Sequence, residues 1–263
     1  MSIHATAVIE AGAQLGEGVT IGPFSYIDRE VVIGDRTVIG PQVTILAHTT
    51  LGADCQVHAG AVLGGLPQDL AFKQQPSYVH IGSECVIREG VTVHRGTQAE
   101  SVTKMGDRCL LMANSHLAHN VQLGEQVIVA NNALLAGYVQ VGDRAFISGN
   151  CLVHQFVRIG RLAMLSGGAA VQQDVPPFCM TTSLSTNTVM GLNVVGLRRA
   201  GLSQDDRALL KRAFRVLYRS NLNVSQALTR LATEFDSPLV DELCQFIRAS
   251  KRGICHFIRA DSP

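Results

Sequence analysis

Large aromatic side chains, charged residues and long apolar runs are all scarce in this sequence. Aromatic residues make up 5% of the 263 positions, with no Trp, and 16% are charged, whereas 46% are hydrophobic and 25 residues are Gly. So little aromatic surface argues against a core built on large rings, and the aliphatic content excludes a disordered chain. Because no run approaches the roughly 18 apolar residues of a membrane helix, we expect no stable membrane insertion.

Net charge and cysteine usage exclude further classes. Lys and Arg total 22 against 21 Asp and Glu, which gives no general electrostatic reason to bind nucleic acid. The first residues lack the basic and apolar regions of a signal peptide, and the seven cysteines include no C-x-x-C. We therefore expect a cytoplasmic protein with reduced thiols, no cofactor and no metal.

A six-residue repeat organises most of the chain. In steps of six from Ile3 to Val171, 26 of 29 positions are Ile, Leu, Val or Met. The exceptions are Asp69, Gln75 and Ala99. Four residues after each of the 26 comes Ala, Ser, Thr, Val or Cys, except at Pro67. Such hexads are typical of a parallel β-helix, in which each short strand buries its inward face only against neighbouring coils.

The hexads also predict details of the core. Four cysteines fall in the small inward column, so we expect them to be buried as compact apolar residues. They are Cys55, Cys85, Cys109 and Cys151. A Gly follows the aliphatic residue in eleven hexads, which we interpret as a corner that needs a permissive backbone.

Two interruptions and a change of period divide the chain. The inward pattern fails at 64–78 and 96–104, which predicts protruding loops. Beyond residue 177 the apolar spacing becomes helical, and Ser203 with Asp206 forms a capping box. The predicted helices are 203–219, 224–235 and 238–251. We therefore predict a β-helix domain at 1–190, with net charge −4, and an α-helical C-terminal domain at 191–263, with net charge +5.

One outward column has the residue types that acyl transfer needs. His119, Gly137 and Gln155 are one 18-residue coil apart, and His116 and His154 flank them. An imidazole can take a hydroxyl proton, and an exposed backbone N–H beside it can stabilise an oxyanion. Without a G-x-S-x-G elbow or a Cys beside a His in this column, direct transfer is simpler than an acyl-enzyme. A histidine at a subunit contact is the alternative interpretation.

Seven short segments carry a more specific resemblance. They are QDL at 68–70, IREGVTVHRGT at 87–97, HLAH at 116–119, NNALLAG at 131–137, VHQF at 153–156, QDVPP at 173–177 and GLN at 191–193. Together they resemble the acyl-ACP:UDP-N-acetylglucosamine O-acyltransferases, a hexapeptide-repeat family that begins lipid A synthesis. The resemblance spans essentially the whole chain and implies a left-handed β-helix, followed by small C-terminal helices, and a homotrimer with its sites between subunits.

The resemblance also implies roles for individual residues. His119 matches the general base, the Gly137 backbone N–H the oxyanion donor, and Gly167 the residue that limits acyl-chain length. The sugar nucleotide contacts would be Gln68, Asp69, His116, His154, Gln155, Asn193 and Arg199. The implied reaction moves a 3-hydroxy fatty acyl chain from acyl carrier protein to the 3-position of UDP-N-acetylglucosamine or a related sugar nucleotide.

Several positions depart from the family pattern and leave alternatives open. The family's acidic residue after the base is Asn120 here, its His after the oxyanion Gly is Tyr138, and a Lys is replaced by Ala71. Val195, Ala200 and 183–187 also differ. The alternatives are a paralogue acting on a 3-amino sugar nucleotide, a non-catalytic β-helix binding protein, and a γ-carbonic anhydrase with zinc near His116 and His119.

A cluster of basic residues near the start of the C-terminal segment suggests a docking surface. The seven are Arg198, Arg199, Arg207, Lys211, Arg212, Arg215 and Arg219. A solvated helix face is the simplest interpretation. Because acyl carrier protein is strongly acidic, such a surface would also suit its docking.

Overall fold

Short strands, about one per hexad, wind into three sheets that enclose the inward aliphatic column. Their strands are parallel, except for one antiparallel pair between 179–181 and 188–192. The structure is a computed structural model and describes residues 1–257. Strands one coil apart are paired in register, as in Leu117 with Leu135 and Leu135 with Val153. The chain is therefore a parallel β-helix of the kind that the hexads predict.

Each sheet forms one side of the β-helix. The first sheet contains β1 (Ser2–Ile3), β4 (Thr20–Ile21), β7 (Val38–Ile39), β10 (Gln56–Val57), β13 (Val86–Ile87), β16 (Leu110–Leu111), β19 (Ile128–Val129), β22 (Phe146–Ile147), β25 (Met164–Leu165), β27 (Cys179–Thr181), β28 (Thr188–Leu192) and β29 (His256–Phe257). The second contains β2 (Val8–Ile9), β5 (Tyr26–Ile27), β8 (Thr44–Ile45), β11 (Val62–Gly65), β14 (Thr92–His94), β17 (His116–Leu117), β20 (Leu134–Leu135), β23 (Leu152–Val153) and β26 (Ala170–Val171). The third contains β3 (Gln14–Leu15), β6 (Val32–Ile33), β9 (Thr49–Leu51), β12 (Tyr78–Ile81), β15 (Val102–Met105), β18 (Gln122–Leu123), β21 (Gln140–Val141) and β24 (Arg158–Ile159).

The two inward columns form one continuous core. Ile27, Ile45, Leu63 and Ile87 are fully buried, and all four cysteines of the small column are at most 1% exposed. The prediction for those cysteines is therefore confirmed. All seven cysteines of the chain are free, buried thiols.

Ten of the eleven glycines that follow the inward aliphatic residues serve a purpose other than the predicted one. At most corners the residue in the left-handed region is not Gly; Glu30 has φ 60° and Arg36 has φ 56°. A Cβ on Gly34 would instead lie 2.5 Å from the Ala53 nitrogen of the next coil. Our interpretation of these glycines as permissive corners holds for Gly64, with φ 84°, and was wrong for the other ten, because they are needed for close approach between successive coils.

The flanking strands extend into both predicted loops. Gly65 ends β11 and pairs with His94, while Tyr78 begins β12 and pairs with Val102. The predicted bounds of 64–78 and 96–104 were therefore too wide. The segments outside the sheets are 66–77, here called the first loop, and 95–101, here called the second loop.

Four helices follow the β-helix. They are α1 (Val194–Arg199), α2 (Gln204–Arg219), α3 (Val224–Glu234) and α4 (Pro238–Arg248). The capping box of Ser203 and Asp206 is present, and α2 to α4 share their own apolar cluster. Within residues 1–257, no helix has the length and apolarity that crossing a membrane requires.

The segment after α4 returns to the β-helix. The backbone N–H of Cys255 donates to the Asp174 carbonyl, and β29 pairs with β28. The predicted helical segment 191–263 therefore begins with the end of a strand and includes another strand near its C-terminus. Residues 258–263 of that prediction lie outside the described residues.

Candidate active site

A cavity of about 550 Å³ lies along the second sheet and brings most of the predicted site residues together. The predicted residues that line it are Gln68, His116, His119, Gly137, His154 and Gln155. The apolar part of its wall includes Leu134 and Leu152, which are 44% and 52% exposed. The cavity therefore combines polar groups with an apolar wall, an arrangement typical of a ligand site.

His119 lies outside the β-helix core, in the outward column, but is only 9% exposed. The first loop covers it, since Asp69 Oδ2 lies 3.7 Å from His119 Nε2. The Tyr138 ring stands edge-on to the imidazole at 5.3 Å between centroids. The hexad column could not predict that these two residues bury His119, because Asp69 is distant in sequence and Tyr138 follows a corner.

The hydrogen bonds of His119 determine which nitrogen is available as a base. His119 Nδ1 lies 3.1 Å from Asn120 Oδ1, and the Thr97 N–H donates to the same oxygen at 2.9 Å. A carboxamide oxygen only accepts, so Nδ1 carries the hydrogen and Nε2 has the free lone pair. The Asn120 N–H donates to Thr103 Oγ1 at 2.7 Å, which holds this corner in place.

Gly137 lies directly beneath the imidazole. A Cβ at this position would be 2.5 Å from His119 Nε2, so the contact requires Gly. Among residues 1–257, none accepts a hydrogen bond from the Gly137 N–H. The corresponding N–H groups of His119 and Gln155 have no acceptor in that part of the chain either. Gly137 differs from these two residues because its N–H lies beside the His119 imidazole and no side chain of its own covers that N–H.

The two loops that interrupt the hexads are joined to each other and to the site. Gln75 Nε2 donates to the Thr97 carbonyl, and Thr97 in turn donates to Asn120. The Arg95 guanidinium lies 5.4 Å from the Phe72 ring centroid, a second contact between the loops. Sequence reasoning missed Thr97 as a site residue. A signal was available in Gln75, one of the three exceptions to the aliphatic series.

Two further histidines lie near His119. His116 Nδ1 is 2.7 Å from Thr92 Oγ1, and the His94 and His116 rings are 4.7 Å apart. Burial, followed by the nearby charges of His116 and His119, lowers the pKa of His94 to about 4. Burial also lowers the pKa of His116. Both rings are therefore neutral at pH 7 and add no positive charge beside His119. Within residues 1–257, no group of three or more His, Cys, Asp or Glu is placed to hold a metal.

The C-terminal segment reaches the other end of the cavity. Arg252 Nη2 lies 3.3 Å from His154 Nδ1, and Arg252 Nε donates to the Gln172 carbonyl at 2.8 Å. Both His154 and Gln155 are exposed. Sequence reasoning missed Arg252, because nothing in the helical periodicity indicates that the chain returns to the β-helix after α4.

Asn193, Arg199 and Gly167 do not line this cavity. Asn193 caps α1; its Oδ1 accepts from the Gly196 N–H at 3.0 Å and its Nδ2 donates to the Leu162 carbonyl at 2.9 Å. This amide is 6% exposed, so its first role is structural. Arg199 is exposed in the last turn of α1, and Gly167 is exposed at a corner of the β-helix.

The basic residues of α2 divide between two faces. Arg207, Lys211, Arg215 and Arg219 line a cavity of about 350 Å³ beside α1, with Leu192 and Phe214 among its apolar residues. Arg212 lies elsewhere, with its guanidinium 5.6 Å from the Phe235 ring centroid. We call the four residues of the first group the basic face of α2.

Comparisons with known proteins agree with the fold and identify the family. Residues 174–255 match the second domain of UDP N-acetylglucosamine O-acyltransferases, and 30–65 and 103–137 match the bacterial transferase hexapeptide. The acyl-[acyl-carrier-protein]–UDP-N-acetylglucosamine O-acyltransferase of Thermodesulfovibrio yellowstonii is 42% identical over 96% of this chain and 98% of its own length. The Brucella ovis enzyme of the same name is 44% identical, with 96% and 92% covered.

Solved structures give the same result. A UDP-N-acetylglucosamine acyltransferase from Bacteroides fragilis superimposes with a TM-score of 0.93 at 40% identity and covers 97% of this chain and 99% of its own. The Campylobacter jejuni enzyme has a TM-score of 0.92 at 38% identity, with 98% and 100% covered. From the repeat, the coil geometry and relatives of this identity and coverage, the chain belongs to the UDP-N-acetylglucosamine O-acyltransferase family.

Proposed function

We propose that this protein transfers an acyl chain from acyl carrier protein to the 3-hydroxyl of UDP-N-acetylglucosamine, with His119 as the general base. The observation that carries this proposal is the free lone pair of His119 Nε2 directly above Gly137, whose N–H has no acceptor within residues 1–257. The names of the similar enzymes support acyl carrier protein as the donor and UDP-N-acetylglucosamine as the acceptor. The reaction is the expected first step of lipid A synthesis.

The reaction needs one proton acceptor and one oxyanion donor. His119 Nε2 takes the hydroxyl proton as the acceptor oxygen attacks the thioester carbonyl, and the developing oxyanion accepts from the Gly137 N–H. The tetrahedral intermediate then collapses: the C–S bond breaks, and the thiol leaves with the proton from Nε2. The product is an ester, and no covalent acyl-enzyme is required.

The remaining predicted contacts are distributed around this centre. Gln68, in the first loop, would hold the sugar, and Asp69 of the same loop faces His119. His116, His154 and Gln155 would contact the sugar nucleotide along the cavity. The exposed Leu134 and Leu152 form an apolar path suited to the acyl chain. A chain with a 3-hydroxy group would place that hydroxyl near the polar residues that line the cavity.

We further propose that the enzyme is a cytoplasmic homotrimer. Asn193 and Arg199 lie outside the His119 cavity, and in the proposed trimer they would contact the sugar nucleotide bound at the cavity of a neighbouring subunit. The first loop supports an intersubunit site, because Leu70 is fully exposed at its tip and Leu66 is 56% exposed. Apolar residues in such positions are typical of an interface.

The donor would dock on the basic face of α2. Three of its four side chains are exposed, and they repeat every four residues along one side of the helix. An acidic carrier protein would therefore meet several cations at once, which favours association at low ionic strength.

The direct test is His119→Ala with acyl carrier protein thioesters and two acceptors, UDP-N-acetylglucosamine and its 3-amino analogue, with products identified by mass. We expect the wild type to form a 3-O-acyl product and the variant to lose about 100-fold or more in kcat while remaining folded. Gel filtration and circular dichroism check the fold. Near-normal turnover by a folded variant would contradict the assignment of His119 as the base. If the wild type acylates only the 3-amino analogue, the proposed acceptor is wrong.

A further inference from the structure

The base in this site becomes a buried cation each time it accepts a proton. His119 is 9% exposed, and burial disfavours a charged imidazole unless an opposite charge is near. Its Nδ1 partner is Asn120, whose carboxamide orients the ring but carries no charge. A compensating charge must therefore come from another element.

Among the groups that face His119, one can supply the compensating negative charge. His116 precedes it on the same strand and corner, and His94 lies on the preceding coil; both are neutral at pH 7. Tyr138, on the following coil, presents the edge-on aromatic contact. From the first loop comes Asp69, and within residues 1–257 it holds the one carboxylate within 4.0 Å of an imidazole nitrogen of His119.

Asp69 is held in a fixed orientation. Its Oδ1 accepts from the Ala71 N–H at 2.9 Å, and its carbonyl accepts from the Phe72 N–H at 3.0 Å. Oδ2 is left facing His119 Nε2 at 3.7 Å, and the Asp69 side chain is 31% exposed. That separation exceeds a hydrogen bond, so the carboxylate and the imidazole lone pair face each other across a gap at the base.

We propose that Asp69 is the positioning residue that compensates the charge of His119, in place of an acid at position 120. Before the reaction, Oδ2 faces a neutral nitrogen. After the proton of the acceptor hydroxyl has moved to Nε2, the same oxygen faces the N–H of an imidazolium. The carboxylate of Asp69 then attracts the positively charged ring of His119. An interaction that strengthens as charge develops lowers the barrier rather than only holding the ground state. This inference rests on the proposed role of His119.

The test is a four-member cycle: wild type, Asp69→Asn, Asn120→Asp, and the double variant. Asn at position 69 keeps an acceptor for the Ala71 N–H, so the turn of the first loop is preserved. We expect Asp69→Asn to lower kcat about 50-fold, with less than threefold change in KM for the sugar nucleotide. With an acid at position 120, the double variant should have a kcat about tenfold higher than that of Asp69→Asn alone.

The pH dependence gives a second readout. Removing the carboxylate destabilises the imidazolium, so the acid limb of the kcat profile should move to lower pH in Asp69→Asn and move back in the double variant. The same shift should appear in the NMR titration of the His119 ring, assigned by comparison with His119→Gln. This titration does not depend on turnover.

The outcomes separate the two proposals. If Asp69→Asn raises KM with kcat unchanged, if Asn120→Asp restores nothing, or if the ring titration does not move, Asp69 is only a substrate contact or a loop residue and the inference is overturned. If the ring titration responds but His119→Ala retains turnover, the electrostatic pairing stands and the base assignment fails.

Discussion

The β-helix and the helices that follow it bury their apolar residues in different ways. In the β-helix each inward residue is covered by the coils before and after it, so one core continues from Val19 to Val175. The helices α2 to α4 instead form a local cluster around Leu217, Leu231 and Leu243. Phe214 joins the two, since it belongs to α2 but packs in the β-helix core.

This difference determines how each region contributes to activity. Coils stacked at a fixed spacing hold His119 and Gly137 so closely that no atom can be added between them. The basic face of α2 is exposed and acts through the sum of several charges. A substitution that adds a single atom in the coils should therefore cause a large loss of activity. On α2, each substitution should cause a small loss that adds to the others and depends on salt concentration.

The largest effect is expected from one added methyl group in the coils. Gly137→Ala places a Cβ against the His119 ring, which must then move away from the oxyanion N–H. We expect kcat to fall about 100-fold or more, a loss that steady-state assays of purified protein would measure.

Gly167→Ala is the matched control. Gly167 occupies the same place in its hexad, but a Cβ there would meet only the Gly149 carbonyl oxygen at 3.7 Å, an ordinary contact. Equal losses in the two variants would mean that any methyl group at this corner disturbs the coil, and the argument from close packing to His119 would be withdrawn.

A smaller effect is expected from reversing charge on α2. The triple variant Arg207→Glu, Lys211→Glu and Arg215→Glu should raise the KM for the carrier protein donor about tenfold at low salt, with the KM for the sugar nucleotide little changed. The difference from wild type should shrink as salt is raised. Arg212→Glu, on the other side of the same helix, should have a much smaller effect on the donor. An unchanged donor KM in the triple variant would exclude this docking surface.

The regular parts of both regions could be predicted because a repeated pattern specifies them. The hexad positions identify the inward side chains, and the period of 3.6 places α2 within one residue of its observed start. The helix α1 was missed because its six residues are too few to show a period, and β29 was missed because its pairing with β28 is non-local.

From the repeat alone the site was predictable only where it follows the hexads, whereas Gln68 and Asp69 were predicted from the family resemblance. His119, Gly137 and Gln155 stand in one column by arithmetic, and all three line the observed cavity. The partners of His119 are different, because Asp69 and Thr97 come from loops whose path no period describes. Burial of the imidazole therefore depends on loop conformation and could not be deduced from hexad position.

The smallest effect, a change of preference rather than of rate, is expected when Gly167 is enlarged. If Gly167 were Gly only to permit a corner, it would have a positive φ; instead the left-handed residue is Gly168, with φ 74°. Gly167 is exposed, and a side chain added there would extend into open space beside the coils. Gly167 does not line the His119 cavity, so the prediction that it limits the acyl chain rests on the family resemblance.

Gly167→Met should shift preference toward donors shorter by several carbons while leaving activity on those donors within a few-fold of wild type. Each methylene excluded from an apolar groove removes about 0.8 kcal/mol of burial, so the loss should grow with chain length and not appear as a uniform drop. The measurement is kcat/KM across a series of acyl carrier protein thioesters, with Gly167→Ala as the control of minimal volume. An unchanged chain-length profile, or an equal loss for all donors, would show that the acyl chain does not end at Gly167.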